Sequence, residues 1–193
     1  MIIGVDEVGR GCIAGDLVVC AFRLKDGLEP VRERKFRELA MDSKAFRSRA
    51  SREDAALIMR DVGEFELARA TPAMIDEKNI RGATLWAMAT AAQKLICRTE
   101  DGEIYFDGRD CPEMFRDRGK AIIKGDALVA EISAASIIAK TARDAEMVEA
   151  SASYPGYGFE RHAGYGTVEH RDAIKRLGLC DIHRSWARKF MAP

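Results

Sequence analysis

Three features of this 193-residue chain predict an α/β layer fold. Short apolar runs with the character of buried strands are interleaved with longer stretches of helical periodicity. The apolar fraction, 47%, suffices for one sizeable core. The length is that of a single domain. The first strand is Ile2-Ile3-Gly4-Val5, and a Gly-rich turn separates it from a second strand over Leu17–Arg23. Lys25 to Ala50 is polar and reads as irregular. Ser51 is the expected N-cap of a helix through Arg60, with Asp54 as a weak capping-box partner. Glu64 to Ala70 alternates like a strand. Ala83 to Ile96 sets Leu85, Met88, Ala92 and Leu95 on one face of a buried helix. Ile104–Phe106 and Ala121–Ile123 are short strands. Ile132 to Ala150 is a long helix, and Tyr154 to Gly166, rich in Gly and aromatics, is a loop. Thr167 to Leu177 is helical, and a last short helix is expected from His183 to Phe190.

Composition narrows the function classes. The best apolar runs, such as Leu17 to Phe22, are far too short to cross a bilayer. Met1 leads straight into the first strand, which leaves no room for a signal peptide. The five cysteines, Cys12, Cys20, Cys97, Cys111 and Cys180, are odd in number and contain no C-x-x-C pair. They are expected as reduced thiols in a cytoplasmic protein, mostly small buried hydrophobes, and not as a zinc site. Net charge is zero, but from Arg161 onward seven basic residues face three acidic ones. That is either a solvated helix face or a surface for a phosphate backbone.

The chemistry concentrates in Asp6-Glu7-Val8-Gly9-Arg10-Gly11. Two adjacent carboxylates at the end of a buried strand repel each other unless a cation sits between them. A divalent ion with oxygen ligands is the simplest such cation. The glycines let backbone approach a ligand, and Arg10 offers a fork suited to phosphate. Two further strands end near Asp107 and Asp126, and sites in α/β sheets collect at strand ends. Four carboxylates suit a pair of divalent ions acting on a phosphodiester. Taken singly, Asp107-Gly108 and Gly125-Asp126 are more often turns. Adjacent residues of an ideal strand face opposite ways, so Asp6 and Glu7 are expected to share a site only if the strand distorts.

At this point the chain resembles the type 2 ribonucleases H, the bacterial ribonuclease HII family. The resemblance rests on Gly4-Val5-Asp6-Glu7-Val8-Gly9-Arg10-Gly11, Ala14-Gly15, Asp42-Ser43-Lys44, Asp107-Gly108 and Lys124-Gly125-Asp126. It continues through Ile132 to Lys140 with Arg143-Asp144, Tyr154 to Phe159, His162, Gly164-Tyr165-Gly166-Thr167, His170 and His183-Arg184. It spans essentially the whole chain in family order. The resemblance implies a ribonuclease H-like mixed sheet flanked by helices, with a small C-terminal helical region. Residues 1–150 then form the catalytic core, and residues 151–193 the tyrosine loop and helical region packed on it as one unit. It also implies cleavage of the RNA strand of RNA–DNA hybrids and incision 5′ of single ribonucleotides in duplex DNA. The products carry 3′-hydroxyl and 5′-phosphate ends, and the cofactors are two Mg²⁺ or Mn²⁺ ions.

Residue by residue, the resemblance makes Asp6, Glu7, Asp107 and Asp126 the metal-holding catalytic acids. Gly9, Arg10 and Gly11 read the ribose 2′-hydroxyl and the scissile phosphate, and Tyr165 stacks on the sugar at the junction to DNA. Ser43, Lys44, Lys140 and Arg143 are candidate nucleic-acid contacts; the alternative is a turn cap for Ser43 and a surface or salt-bridge residue for each of the others. Asp144 is either a fifth acid at the site or a helix-surface residue. His162 and His170 are expected to serve hydrogen bonding, His183-Arg184 to dock the final helix, and Trp86 and Trp186 to pack. The chain departs from the family at Cys12 and Asp16, where prolines are common, and at Ala163, where a lysine is. The partner is nucleic acid, with no membrane, no evident protein partner and a monomer as the expected state. A non-catalytic hybrid binder would be marked by loss of a carboxylate, and all four are present. The sister type, ribonuclease HIII, usually carries an additional N-terminal domain, and a generic metal phosphatase leaves Tyr165 and its flanking glycines unexplained.

Overall fold

The computed structural model describes residues 1–42, 46, 48–98 and 102–191. Ser43 and Lys44, expected at the nucleic-acid face, lie outside the described residues. Five strands, β1 (Ile2–Val8), β2 (Leu17–Leu24), β3 (Gly63–Ala70), β4 (Glu103–Asp107) and β5 (Gly119–Ile122), form one sheet in the order β3-β2-β1-β4-β5. β1, β2 and β3 pair antiparallel, while β1–β4 and β4–β5 are parallel, so the sheet is mixed as expected.

Among the described residues six α-helices surround it: α1 (Pro30–Met41), α2 (Arg49–Val62), α3 (Pro72–Ile96), α4 (Ala130–Ser153), α5 (Phe159–His162) and α6 (Val168–Leu177). Alternation along the strands builds two cores. Ile3, Val5, Leu17, Val19 and Phe106 pack under α3. Val18, Cys20 and Phe22 pack under α1, α2 and α4. A third cluster ties the C-terminal region to the rest, with Ile13, Ala14 and Met147 against Tyr157, Phe159, Ala173 and Ile174.

Several local expectations are corrected. The polar stretch 25–50 contains α1, whose buried face is only Phe36 and Ala40, so its apolar periodicity is faint. The cap of α2 is Ser48, with Ser51 as the reciprocal partner in the capping box, one turn earlier than predicted. α3 starts at Pro72 behind the Thr71 cap and kinks at Asn79, whose φ is 55°. α5 interrupts the loop at 154–166, and the last helix is a 3₁₀ segment, Ser185–Phe190. Trp86 is 40% exposed on α3, whereas Trp186 packs between two cores. Cys97 is exposed.

Candidate active site

Asp6 and Glu7 end β1, and Asp107 ends β4. By alternation Asp6 lies on the α4 side of the sheet, opposite Cys20, and Glu7 on the α3 side, opposite Val19. They meet nonetheless: one carboxylate oxygen from each of Asp6, Glu7 and Asp107 falls within 4.8 Å of the others. The expected distortion is not the cause, because the register with β2 runs unbroken to Val8–Val18. The β1–β4 ladder instead stops at Val5–Phe106. Beyond that point the longer Glu7 side chain reaches the same open end of the sheet as Asp6 and Asp107.

The electrostatics of this cluster are dominated by burial and mutual repulsion. Burial, then Glu7 and Asp107, push the Asp6 carboxyl well above the usual carboxylate range, against hydrogen bonds from the Ser136 side chain and the Glu7 N–H (2.7 Å). Glu7 is also raised, first by burial, although Arg10 lies 3.3 Å from its Oε1. Its Oε2 is buried with no hydrogen-bond partner. Asp107 is raised by burial despite accepting the Gly125 N–H at 2.7 Å. Three converging carboxylate oxygens beside a buried, unpartnered Glu7 Oε2 fit a hard divalent cation, whose charge would favour the ionised form of each acid.

Asp126 is placed differently from its expected strand end. β5 stops at Ile122, and Asp126 sits on an exposed 3₁₀ turn, Gly125–Ala127, entered through Lys124 at φ 58°. Its N–H bonds Asp107 and its charge raises the Asp107 carboxyl, yet among the described residues it is outside the three-acid group. Gly125 packs closely there: a Cβ would come 2.6 Å from Ile132 Cδ1, which would have to shift.

Arg10 and Gly11 are exposed beside the acids. Gly9 is buried at φ 93°, and a Cβ on it would strike Arg143. Arg143 was expected on phosphate; the structure corrects this. It is 1% exposed and gives its guanidinium to the Ala14 (2.9 Å), Ala163 (3.0 Å) and Asp16 carbonyls. The buried Arg184 likewise donates to the Gly15 (3.0 Å) and Arg10 (3.2 Å) carbonyls. Both arginines hold the glycine loop in place. A bridge between Cys12 and Tyr165 ties that loop to the tyrosine loop.

Tyr165 is 40% exposed, with Lys140 Nζ 5.6 Å from its ring centroid. Two adjoining clefts share Arg52 and Lys140 and lead from Asp126 and Ser136 to Tyr165. Asp144 lies in this trough paired with Lys140 (2.6 Å) and Arg52 (3.7 Å), apart from the acid cluster. Sequence reasoning missed Ser136 and Arg52. Ser136 stands one helical turn before Lys140, a spacing that places both on one face of α4. Arg52 carries no local signal. The basic excess after Arg161 is partly internal: Arg184 is buried, and Arg161 and Lys175 pair with Glu169 and Asp172. Among the described residues no helix is long and apolar enough to cross a membrane.

Comparisons with known proteins agree with this geometry. The family model described as Ribonuclease HII matches residues 3–190. Ribonuclease HII of Halorhodospira halophila is 43% identical over 183 residues, covering 95% of this chain and 89% of that protein. The ribonuclease HII solved in complex with PCNA from Archaeoglobus fulgidus superposes with a TM-score of 0.78 at 26% identity, over 98% of this chain and 94% of that one. The ribonuclease H2 of Pyrococcus horikoshii gives 0.77 at 26% identity, over 98% and 96%. An acid cluster at the sheet end, a mixed five-stranded sheet and a match along nearly the whole length place this chain in the ribonuclease HII family, the metal-dependent endoribonucleases that act on RNA–DNA hybrids.

Proposed function

We propose that the enzyme, beyond cutting RNA in hybrids, incises 5′ of single ribonucleotides embedded in duplex DNA and leaves 3′-hydroxyl and 5′-phosphate ends. The observation that carries this reading is the convergence of Asp6, Glu7 and Asp107 beside the exposed Arg10 and Gly11 of a glycine loop that is bridged to Tyr165. Asp6, Glu7, Asp107 and Asp126 are the residues that would hold two divalent ions, magnesium or manganese. Bound ions of this kind supply Lewis-acid stabilisation of the charge that develops on a phosphodiester during hydrolysis.

The chain's own groups do the recognition. The Gly9-Arg10-Gly11 backbone approaches the ribose closely enough to hydrogen-bond a 2′-hydroxyl, the one group that distinguishes RNA from DNA at a single position. Arg10 holds the scissile phosphate and also screens Glu7. The Tyr165 ring stacks against a deoxyribose and leaves no room for a second 2′-hydroxyl, which selects the RNA-to-DNA step. Lys140, at 5.6 Å from that ring, supplies positive charge to the adjacent phosphate. Residues 1–150 act as the catalytic core and residues 151–193 as a substrate-reading region packed on it. We place the enzyme in the cytoplasm as a monomer whose necessary partner is nucleic acid. A clamp partner like that of the Archaeoglobus complex is compatible with this reading but not required by it.

The test is a labelled DNA duplex holding one ribonucleotide, incubated with magnesium or with manganese, with chelator and Asp126→Asn as controls. A single metal-dependent cut 5′ of the ribonucleotide is expected. Cutting of long hybrids without cutting of this duplex would reject the single-ribonucleotide reading and leave the hybrid nuclease standing.

A further inference from the structure

The chain has only three histidines, His162, His170 and His183, and all three are buried in one cluster beneath the tyrosine loop. We infer that His183 and His170 form a one-way hydrogen-bond relay that positions Tyr165 for substrate, a role that rests on the reading of Tyr165 as a substrate contact.

The direction of the relay follows from donor and acceptor counting. The Cys180 N–H donates to His183 Nδ1 at 2.9 Å, so that nitrogen is unprotonated. The Cys180 thiol, 3.1 Å from the same nitrogen, can donate to it too, and the Cys180 carbonyl accepts the His183 N–H at 3.0 Å. The His183 proton therefore sits on Nε2, which lies 3.1 Å from His170 Nε2 and donates to it. The His170 proton is then on Nδ1, which donates to the Tyr165 carbonyl at 2.9 Å. The same carbonyl accepts the Thr167 N–H, and the Tyr165 N–H donates to the His162 carbonyl, both at 2.9 Å. His162 completes the support: it stacks on His170 with ring centroids 4.4 Å apart, accepts the Gly164 N–H at Nδ1 (3.2 Å) and donates from Nε2 to the Tyr157 carbonyl (2.9 Å). Phe159 closes the cluster edge-on to His162 and His170.

Each ring thus works only in its neutral form. A second proton on His170 would set N–H against N–H at His183, and one on His183 would face the Cys180 N–H. The groups packed around His170 are His162 from α5, Glu169 from α6 and His183 from the C-terminal segment. Glu169 is committed to Arg161, so no free carboxylate is there to hold an imidazolium. Burial in particular brings His170 down to about 4, so the relay is intact at neutral pH.

These are positioning residues, since none of them touches the proposed reacting atoms. The test compares native enzyme, His170→Leu, which removes both links, and His170→Asn, whose amide replaces the donor at the Nδ1 position. Each is measured alone and with Tyr165→Ala on the single-ribonucleotide duplex. Hydrogen exchange of the 164–167 amides is followed in the same variants. His170→Leu is expected to raise KM about tenfold with kcat changed by less than about threefold, and His170→Asn to recover most of it. In the Tyr165→Ala background His170→Leu should add less than about twofold. Should His170→Leu fail to fold, His183→Gln, which keeps the Nε2 donor, and His183→Leu make the same comparison. Unchanged amide protection in the leucine variant, no advantage of Asn over Leu, or full multiplication of the two losses would overturn the relay. Loss of protection at 164–167 with a fully active Tyr165→Ala would leave the relay standing and reject Tyr165 as the substrate contact.

Discussion

At the scale of single residues, the acid cluster stores unfavourable charge that a cation would release. The folded state raises the Asp6 carboxyl, so relative to the unfolded chain its ionisation opposes folding as pH rises above the ordinary carboxylate range. Asp6→Asn is therefore expected to raise the melting temperature in chelator, by about 3 °C, while abolishing turnover. Differential scanning calorimetry beside a cleavage assay checks both halves; a lower melting temperature would contradict the electrostatic account. Asp126 is exposed and outside the cluster, so Asp126→Asn should leave stability within about 0.5 kcal/mol and still lower kcat by about a hundredfold or more. Near-native turnover would remove Asp126 from the catalytic set. Tyr165→Ala should cost roughly tenfold at a single ribonucleotide and much less on long hybrids, and equal losses on both would reject junction reading. That Asp6, Glu7 and Asp107 would meet was legible from residue type and motif. Arg143 was not, because a cation that caps carbonyls and one that binds phosphate look the same in a sequence.

At the scale of elements, α4 carries the site. Its first turn lies directly on β1: a Cβ at Gly4 would come 2.2 Å from the Glu131 carbonyl carbon. Gly4→Ala must push the helix away from the sheet end, carrying Ser136 off Asp6. It is expected to cost about 3 kcal/mol in urea unfolding and to lower activity with it. Native stability after Gly4→Ala would show that the contact can relax. The histidine cluster gives the C-terminal elements a pH limit of defined sign. His170, lowered to about 4, and His183, also lowered by burial, bind protons more readily when unfolded. The contribution of His170 is fully present above about pH 6.5, the unfolded value, and is lost as pH falls through the folded value near 4, and that of His183 has the same sign. His170→Phe should flatten that acid limb in a stability–pH profile. The elements invisible beforehand were those with weak local signals. α1 buries only Phe36 and Ala40, and α5 is a single turn created by the packing of Phe159 and His162.

Across the whole molecule, metal and fold are linked. Magnesium at about a hundred times its dissociation constant should stabilise the protein by about 2.7 kcal/mol, a shift that Asp6→Asn loses; a native enzyme whose melting is indifferent to magnesium and manganese would count against the cluster as a cation site. The local chemistry of the chain by itself determined the α/β class, the strand-end acids and the glycine loop. Periodicity, strand-end carboxylates and glycine placement are properties of a few neighbouring residues. Only the tertiary structure decided how the acids meet and which one stands apart. Glu7 joins Asp6 where the β1–β4 ladder ends at Val5–Phe106, and Asp126 stands outside that group because β5 ends at Ile122 and the chain turns through Gly125–Ala127. It also decided that Arg143 and Arg184 hold backbone, and that His183, His170 and the Tyr165 carbonyl line up in one hydrogen-bonded chain. Those outcomes depend on burial and donor–acceptor pairing between segments far apart in the chain, which no local pattern encodes.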